Sequence, residues 1–192
     1  IGMGNRKVLL GTLLVFTMLL SSFAFYGYQI VYSANILVDK EDAVLIIEPA
    51  ETFKSLQDKL YSNDYVQDLV SFSFLARIMD YDTSIKPGRY LLKKDMTNVD
   101  AIRMLRIGQQ QPVNITFNNV RLIGDLGGKI TSSIALSEAQ FNTALDEFIS
   151  SNEMGFNSQN IISMFIPDTY EVYYNISGEQ LVERMLAEYK RF

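Results

Sequence analysis

Hydrophobic residues are spread along this chain in two different ways. From Val8 to Tyr28 they run without interruption (VLLGTLLVFTMLLSSFAFYGY), and no charged residue follows until Asp39. Beyond Asp39 they come in short periodic groups. The first segment is long enough to cross a bilayer, which takes a helix of about 20 residues. Ala43 to Ile47 (AVLII) is a short, partly β-branched run and predicts a strand. Thr52 can cap a helix that carries Phe53, Leu56 and Leu60 at helical spacing and ends near Asn63. A second helix is expected over Val66 to Met79, with Leu69, Val70, Phe72, Phe74, Leu75 and Ile78 as its apolar face and Phe72, Phe74 and Leu75 in the core. Pro87-Gly88 signals a turn, for which a type II geometry would explain the glycine, and a strand through Leu92 follows. Lys93-Lys94-Asp95 reads as a solvated loop. Thr97 or Asn98 starts the next helix, with Val99, Ile102, Met104 and Leu105 inward and Gly108 closing it. Val113 to Phe117 (VNITF) alternates as a half-buried strand does.

The texture then changes. Arg121 to Ser133 carries three glycines and reads either as a weak helix or as a connection. Ser137 with Gln140, and Ser177 with Gln180, have the spacing of capping boxes. The first opens a helix through Phe148 with Phe141, Leu145 and Phe148 on one side; the second opens a helix bearing Leu181, Met185, Leu186 and Tyr189. Between them lies MFIPDTYEVYYN, from Met164 to Asn175, where a proline, an acid, a hydroxyl and four aromatic rings crowd together. Proline donates no ladder hydrogen bond, so a shaped local turn is expected there. The whole reads as an α+β protein: an N-terminal transmembrane helix, a small α/β module, then the start of a second α+β domain. The expected boundaries are a cytoplasmic tail over 1–7, the membrane helix over 8–30, a linker over 31–42, the module over 43–118 and the second domain over 119–192.

Charge orients the first segment. Arg6 and Lys7 precede it and Asp39, Glu41 and Asp42 follow, so the positive-inside rule keeps the N-terminus in the cytoplasm and exports the remainder. Tyr26, Tyr28 and Tyr32 are spaced for an aromatic belt at the outer interface. A cleaved signal peptide, with Ser22-Phe23-Ala24 as its small-x-small site, is the competing reading. The uncleaved anchor is the expected outcome, because apolar character continues past Ala24. Of 17 basic and 22 acidic residues, removing Arg6 and Lys7 leaves 15 against 22 outside, a net of −7, which argues against nucleic acid as a partner. The chain has neither cysteine nor histidine. Disulfides, thiolate or imidazole metal sites and Ser-His-Asp or Cys-His nucleophiles are thereby excluded within it, and acid-base work falls to carboxylates, tyrosines or lysines.

Two stretches together carry a resemblance. The run IKPGRYLLKKDMTNVDAIRMLRIGQQQPVNITF resembles the Pro-Gly-x-Tyr, helix and strand pattern of the LysM-like module in YceG-like endolytic murein transglycosylases. FIPDTYEVY resembles that family's Pro-Asp-Thr-Tyr motif near the start of its catalytic domain. The resemblance implies a bacterial inner-membrane protein with one span. It implies peptidoglycan glycan strands, the membrane and cell-wall synthases as partners, no cofactor and no metal. It also implies cleavage of the bond from N-acetylmuramic acid to N-acetylglucosamine within a strand, with the muramyl C6 hydroxyl as nucleophile and a 1,6-anhydro end as product. One carboxyl suffices for that chemistry, protonating the leaving oxygen and taking the C6 hydroxyl proton, whereas hydrolytic glycosidases flank the bond with two.

The family carries its catalytic glutamate in an Ala-Ser-Ile-x-Glu-x-Glu helix that this sequence lacks, and by order it is expected beyond Phe192. The Glu-Gly that commonly leads the Pro-Asp-Thr-Tyr motif is replaced here by Ile162-Ser163. Pro167, Asp168, Thr169, Tyr170 and Tyr173 are the expected sugar-binding residues, forming one wall of a cleft, and Glu171 is the stand-in acid. The bland alternative is that Asp168 and Thr169 cap a turn and the tyrosines are core. If the chain is complete, a membrane-tethered wall-binding or scaffold module is the expected function instead.

Overall fold

The computed structural model describes residues 3–116, 118 and 123–192. Phe117 of the expected strand, and Arg121 and Leu122 of the glycine-rich segment, lie outside the described residues. Helix α1 (Met3–Tyr32) has 30 residues, and an 18-residue window within its stretch Arg6–Tyr32 reaches a mean hydropathy of 2.2 with none of that window buried. Its length and composition allow it to cross a membrane. A core helix would turn this apolar surface inward; here Leu14 is 60% exposed and Phe23 76%.

The chain divides into two compact units. The first comprises the residues up to Ala43, Phe53–Ile85 and Leu92–Ile107; the second comprises Val44–Thr52, Lys86–Leu91 and Gly108–Phe192.

The first unit holds α1 together with β1 (Ala34–Ile36), α2 (Phe53–Ser62), α3 (Leu69–Ile78), β4 (Met96–Thr97) and α4 (Asn98–Ile107). Strand β1 pairs antiparallel with β4 and falls within the stretch expected as a linker. Helix α3 starts later than its pattern predicts. Val66 is held in an isolated bridge to Ile36, and the Asp68 carboxylate accepts from the Val70 and Ser71 amides, so the helix begins after its cap. The expected apolar face of α3 is corrected as well. Phe72 and Leu75 are buried with Ala76, whereas Val70, Phe74 and Ile78 are exposed. At about 100° per residue Phe74 lies on the side opposite Phe72, so the two cannot share one buried stripe. Helix α4 opens where the Thr97 hydroxyl accepts from the Asp100 amide (3.1 Å), and it closes at Gly108 with a φ of 78°, a left-handed position that suits glycine.

The second unit holds nearly all of a two-stranded sheet of β2 (Ala43–Ile47) and β3 (Gly88–Leu92). The expected turn at Pro87-Gly88 is absent. Gly88 has a φ of 158° and leads straight into β3. That backbone conformation is one that side-chain-bearing residues rarely adopt, and a Cβ would also press on the movable end of the Gln110 side chain. Two residues on, Tyr90 is fully buried and donates to the Lys86 carbonyl (2.9 Å); burial pushes its hydroxyl up to about 12.

The remainder of the unit is β5 (Val113–Thr116), α5 (Ile123–Thr131), α6 (Glu138–Ser151), a 3₁₀ turn (Ile161–Met164), β6 (Thr169–Val172) and α7 (Gly178–Arg191). Both capping boxes form, with Ser137 and Gln140 starting α6 and Ser177 and Gln180 starting α7. The glycine-rich segment is helical from Ile123 onward. Phe141, Leu145, Phe165, Leu181 and Met185 meet Ile115 and Tyr170 in one core, in which Phe141 and Phe165 stack edge to face at 6.0 Å.

Candidate functional site

The run MFIPDTYEVYYN bends at Phe165, Pro167 and Asp168, as its proline leads one to expect, and then enters a strand. Pro167 precedes β6, so its missing donor costs the ladder nothing. Strands β5 and β6 pair antiparallel, with Thr116 opposite Thr169, Ile115 opposite Tyr170, Asn114 opposite Glu171 and Val113 opposite Val172. The pleat sends Tyr170 and Val172 inward and Thr169 and Glu171 outward. Asp168 accepts from the Thr169 amide (2.7 Å), and the Thr169 and Thr116 hydroxyls meet across the strands at 2.9 Å. Tyr170 is 6% exposed and donates to the Ile166 carbonyl at 2.7 Å, tying the strand to the residue before the proline. Burial raises its hydroxyl above the ordinary tyrosine value; the negative charges of Asp168 and Glu188 push the same way, and Arg184 opposes them.

Beside the outer face of β6 lies a concavity of about 530 Å³ whose polar lining is Gln110, Glu171, Tyr173, Asn175, Gln180 and Arg184. Glu171 is exposed and Tyr173 is 57% exposed. The Gln110 carboxamide crosses from the segment after α4 to donate to Asn175 Oδ1 (2.9 Å), while its own Oε1 is buried without a hydrogen-bond partner among the described residues. Gln180 is held by the α7 capping box, and Arg184, on the same face one turn later, pairs with Glu188 at 3.0 Å. A second hollow of about 490 Å³ lies between α6 and the start of α7, and none of the expected site residues lines it.

Of the expected residues, Glu171 and Tyr173 therefore come together in the groove. Pro167, Asp168 and Thr169 are exposed at the approach to β6 and do not line it, and Tyr170 faces the core. Gln110, Asn175, Gln180 and Arg184 were not legible as site residues. Only the spacing of four between Gln180 and Arg184 on a helix carried a local signal. Among the described residues no three His, Cys, Asp or Glu side chains gather as a metal-binding group. Carboxamides that donate and accept, a guanidinium, one carboxylate and one open aromatic face suit a ligand rich in hydroxyls and amides.

The model of the YceG-like family matches residues 45–192. The endolytic murein transglycosylases of two Streptococcus pneumoniae strains, serotype 2 strain D39 / NCTC 7466 and strain ATCC BAA-255 / R6, are each 24% identical to the chain over 94% of its length and 38% of theirs. The chain thus spans well under half the length of the curated relatives it matches. The crystal structure of the YceG-like protein lmo1499 from Listeria monocytogenes aligns with 79% of this chain and 55% of its own, at 18% identity and a TM-score of 0.38. With the family's model matched from Leu45 to the last residue, three-quarters of the sequence and the whole of the groove, the chain belongs to the YceG-like family.

Proposed function

We propose that this chain is the membrane anchor, LysM-like module and first part of the catalytic domain of an endolytic peptidoglycan transglycosylase, with the module over 43–118 and the catalytic part from 119 onward. The family match through the β6 groove is the observation that carries the reading. The anchor is α1, single-pass in the bacterial inner membrane with Arg6 and Lys7 on the cytoplasmic side. In this reading the glycan lies along the outer face of β6. Tyr173 stacks against a sugar ring, and Gln110, Gln180 and Arg184 serve hydroxyl and acetamido groups. Pro167, Asp168, Thr169 and Tyr170 hold the strand in register beneath it.

The proton donor belongs to sequence outside these 192 residues, in keeping with relatives more than twice as long. That carboxyl gives its proton to the departing N-acetylglucosamine oxygen. It then takes one from the muramyl C6 hydroxyl as C6–O attacks C1, so the bond to the leaving sugar breaks, the anhydro ring closes, and no water is consumed. Glu171 is the acid available within the chain, and its place on an open strand suits binding better than proton donation, which calls for a buried carboxyl. The test is a muropeptide digest after incubating the full-length protein with glycan strands. New 1,6-anhydro ends are expected. Reducing ends alone would refute the transglycosylase assignment, and binding without new ends of either kind would favour the scaffold function.

A further inference from the structure

Helix α3 (LVSFSFLARI) is apolar on nearly every side, yet half of it is uncovered. Val70, Phe74 and Ile78 follow one another at intervals of four, and they are 75%, 54% and 60% exposed, while Ser71, Phe72, Leu75 and Ala76 pack inward. Single exposed apolar residues are ordinary, but three in one helical stripe form a patch that needs a cover. Arg77 is also exposed and borders the stripe on the same arc of the helix.

The first turn of α3 is linked to the last turn of α1 through Asn98 and Asn35. Asn98 Nδ2 donates to the Ile30 carbonyl (3.0 Å) and Asn35 Nδ2 to Asn98 Oδ1 (2.7 Å). Asn35 also donates to the Asp68 carbonyl (2.9 Å) and accepts from the Asp68 amide (2.7 Å). Asn35, Ser71 and Asn98 are buried, so these bonds are shielded from water. Below them a hollow of about 200 Å³ between Gln67, Asp68 and Ser71 on one side and Tyr26 and Gln29 on the other carries this unit down α1 to the aromatic belt. A hydrocarbon core about 30 Å thick takes about 20 residues at 1.5 Å each. A span entering after Lys7 therefore leaves it near Tyr28, and the Asn35–Asn98 network lies at the depth of the outer headgroups.

We infer that α3 is a second membrane contact, its Val70–Phe74–Ile78 stripe bedded at the boundary of headgroup and acyl chain beside the exit of α1, with Arg77 reaching lipid phosphate. This rests on α1 being an uncleaved anchor. Phe and aliphatic side chains on one face with a cation at its margin are what an interfacial helix presents to lipid, and the bonds to α1 remove most of the entropic cost of bringing it there.

The chain has no cysteine, so single-cysteine variants carry a nitroxide cleanly. V70C, F74C and I78C, each in the full chain in nanodiscs of phosphatidylcholine and phosphatidylglycerol, are compared by saturation EPR with L14C inside the span and with I107C, exposed at the far end of α4. Oxygen accessibility is expected to exceed that of a water-soluble nickel chelate at 14, 70, 74 and 78, and to fall below it at 107. Immersion at 14 with nickel access at 70, 74 and 78 equal to that at 107 overturns the α3 contact and leaves the anchor intact. Labels on α3 shielded from both reagents would mean that protein covers the stripe, which also overturns it. Nickel access at 14 would remove the anchor and this contact together.

Discussion

Gly178 opens α7 where it crosses α6, and the contact leaves no room for a side chain. A Cβ at this position would lie 2.7 Å from the Ala144 Cβ and 3.1 Å from the Gln140 carbonyl oxygen. Carbon pairs rest at about 3.5–4.0 Å, so Gly178→Ala must force the helices apart by roughly 1 Å. Overpacking of this kind costs about 1–3 kcal/mol, and the better helix propensity of alanine returns about 1 kcal/mol at most. A net loss of about 1–2 kcal/mol is expected. Ala144→Gly costs about 1 kcal/mol alone through helix propensity, yet it removes the nearer clash while leaving the carbonyl. The double variant should therefore lose less than the sum of the singles, by about 0.5–2 kcal/mol. Hydrogen exchange of the full chain in detergent micelles, read on peptides covering 138–151 and 178–191, gives the opening free energies. A Gly178→Ala variant as protected as the parent, with no coupling to Ala144, would refute the close approach. Because α7 also carries Gln180 and Arg184, the displacement should weaken the glycan binding proposed for the β6 groove as well.

Three further outcomes follow from named contacts. Tyr174 donates to both Glu48 oxygens (2.8 and 2.9 Å), and burial followed by that carboxylate pushes its hydroxyl up to about 12. A raised folded-state value favours the neutral phenol, so this stabilisation is whole below the unfolded value near 10 and disappears as pH climbs through 12. Tyr174→Phe should remove one late-titrating phenol from the ultraviolet absorbance titration and cost about 1 kcal/mol at neutral pH; an unchanged titration would contradict the pairing. Asp68→Ala removes the cap of α3 and should cost about 1 kcal/mol, with exchange rising first at Val70 and Ser71, the two amides it receives. Tyr173→Ala should weaken binding to purified glycan strands about tenfold if stacking supplies on the order of 1–1.5 kcal/mol, and Glu171→Gln should weaken it less, with no change in melting for either because both side chains are exposed.

Features set by neighbours in sequence were legible, and those set by distant partners were not. Each capping box announced its helix because Ser137 and Gln140, like Ser177 and Gln180, bond within one turn. Strands β1 and β4 have three and two residues, and their pairing joins segments far apart in the chain, so no local periodicity marks them. Pro87-Gly88 carries the composition of a turn, and its letters do not show that the glycine instead opens β3 at a φ of 158°. Within MFIPDTYEVYYN the alternation from Thr169 to Val172 was present in the letters but masked by the proline and the surrounding aromatics. The groove shows the same division: Glu171 and Tyr173 lie in the motif that drew attention, while Gln110 and Arg184 arrive from other elements and carry no mark of their shared site.

Helix α1 passes into β1 with only Ser33 between them. An α-helix advances about 1.5 Å and turns about 100° for each residue. Inserting one residue near the middle of α1 would therefore swing the outer end by more than a quarter circle while lifting it hardly at all, whereas inserting seven would restore its azimuth almost completely. The join behaves as a keyed shaft, and compass bearing about the helix axis becomes a quantity written in the length of the hydrophobic run.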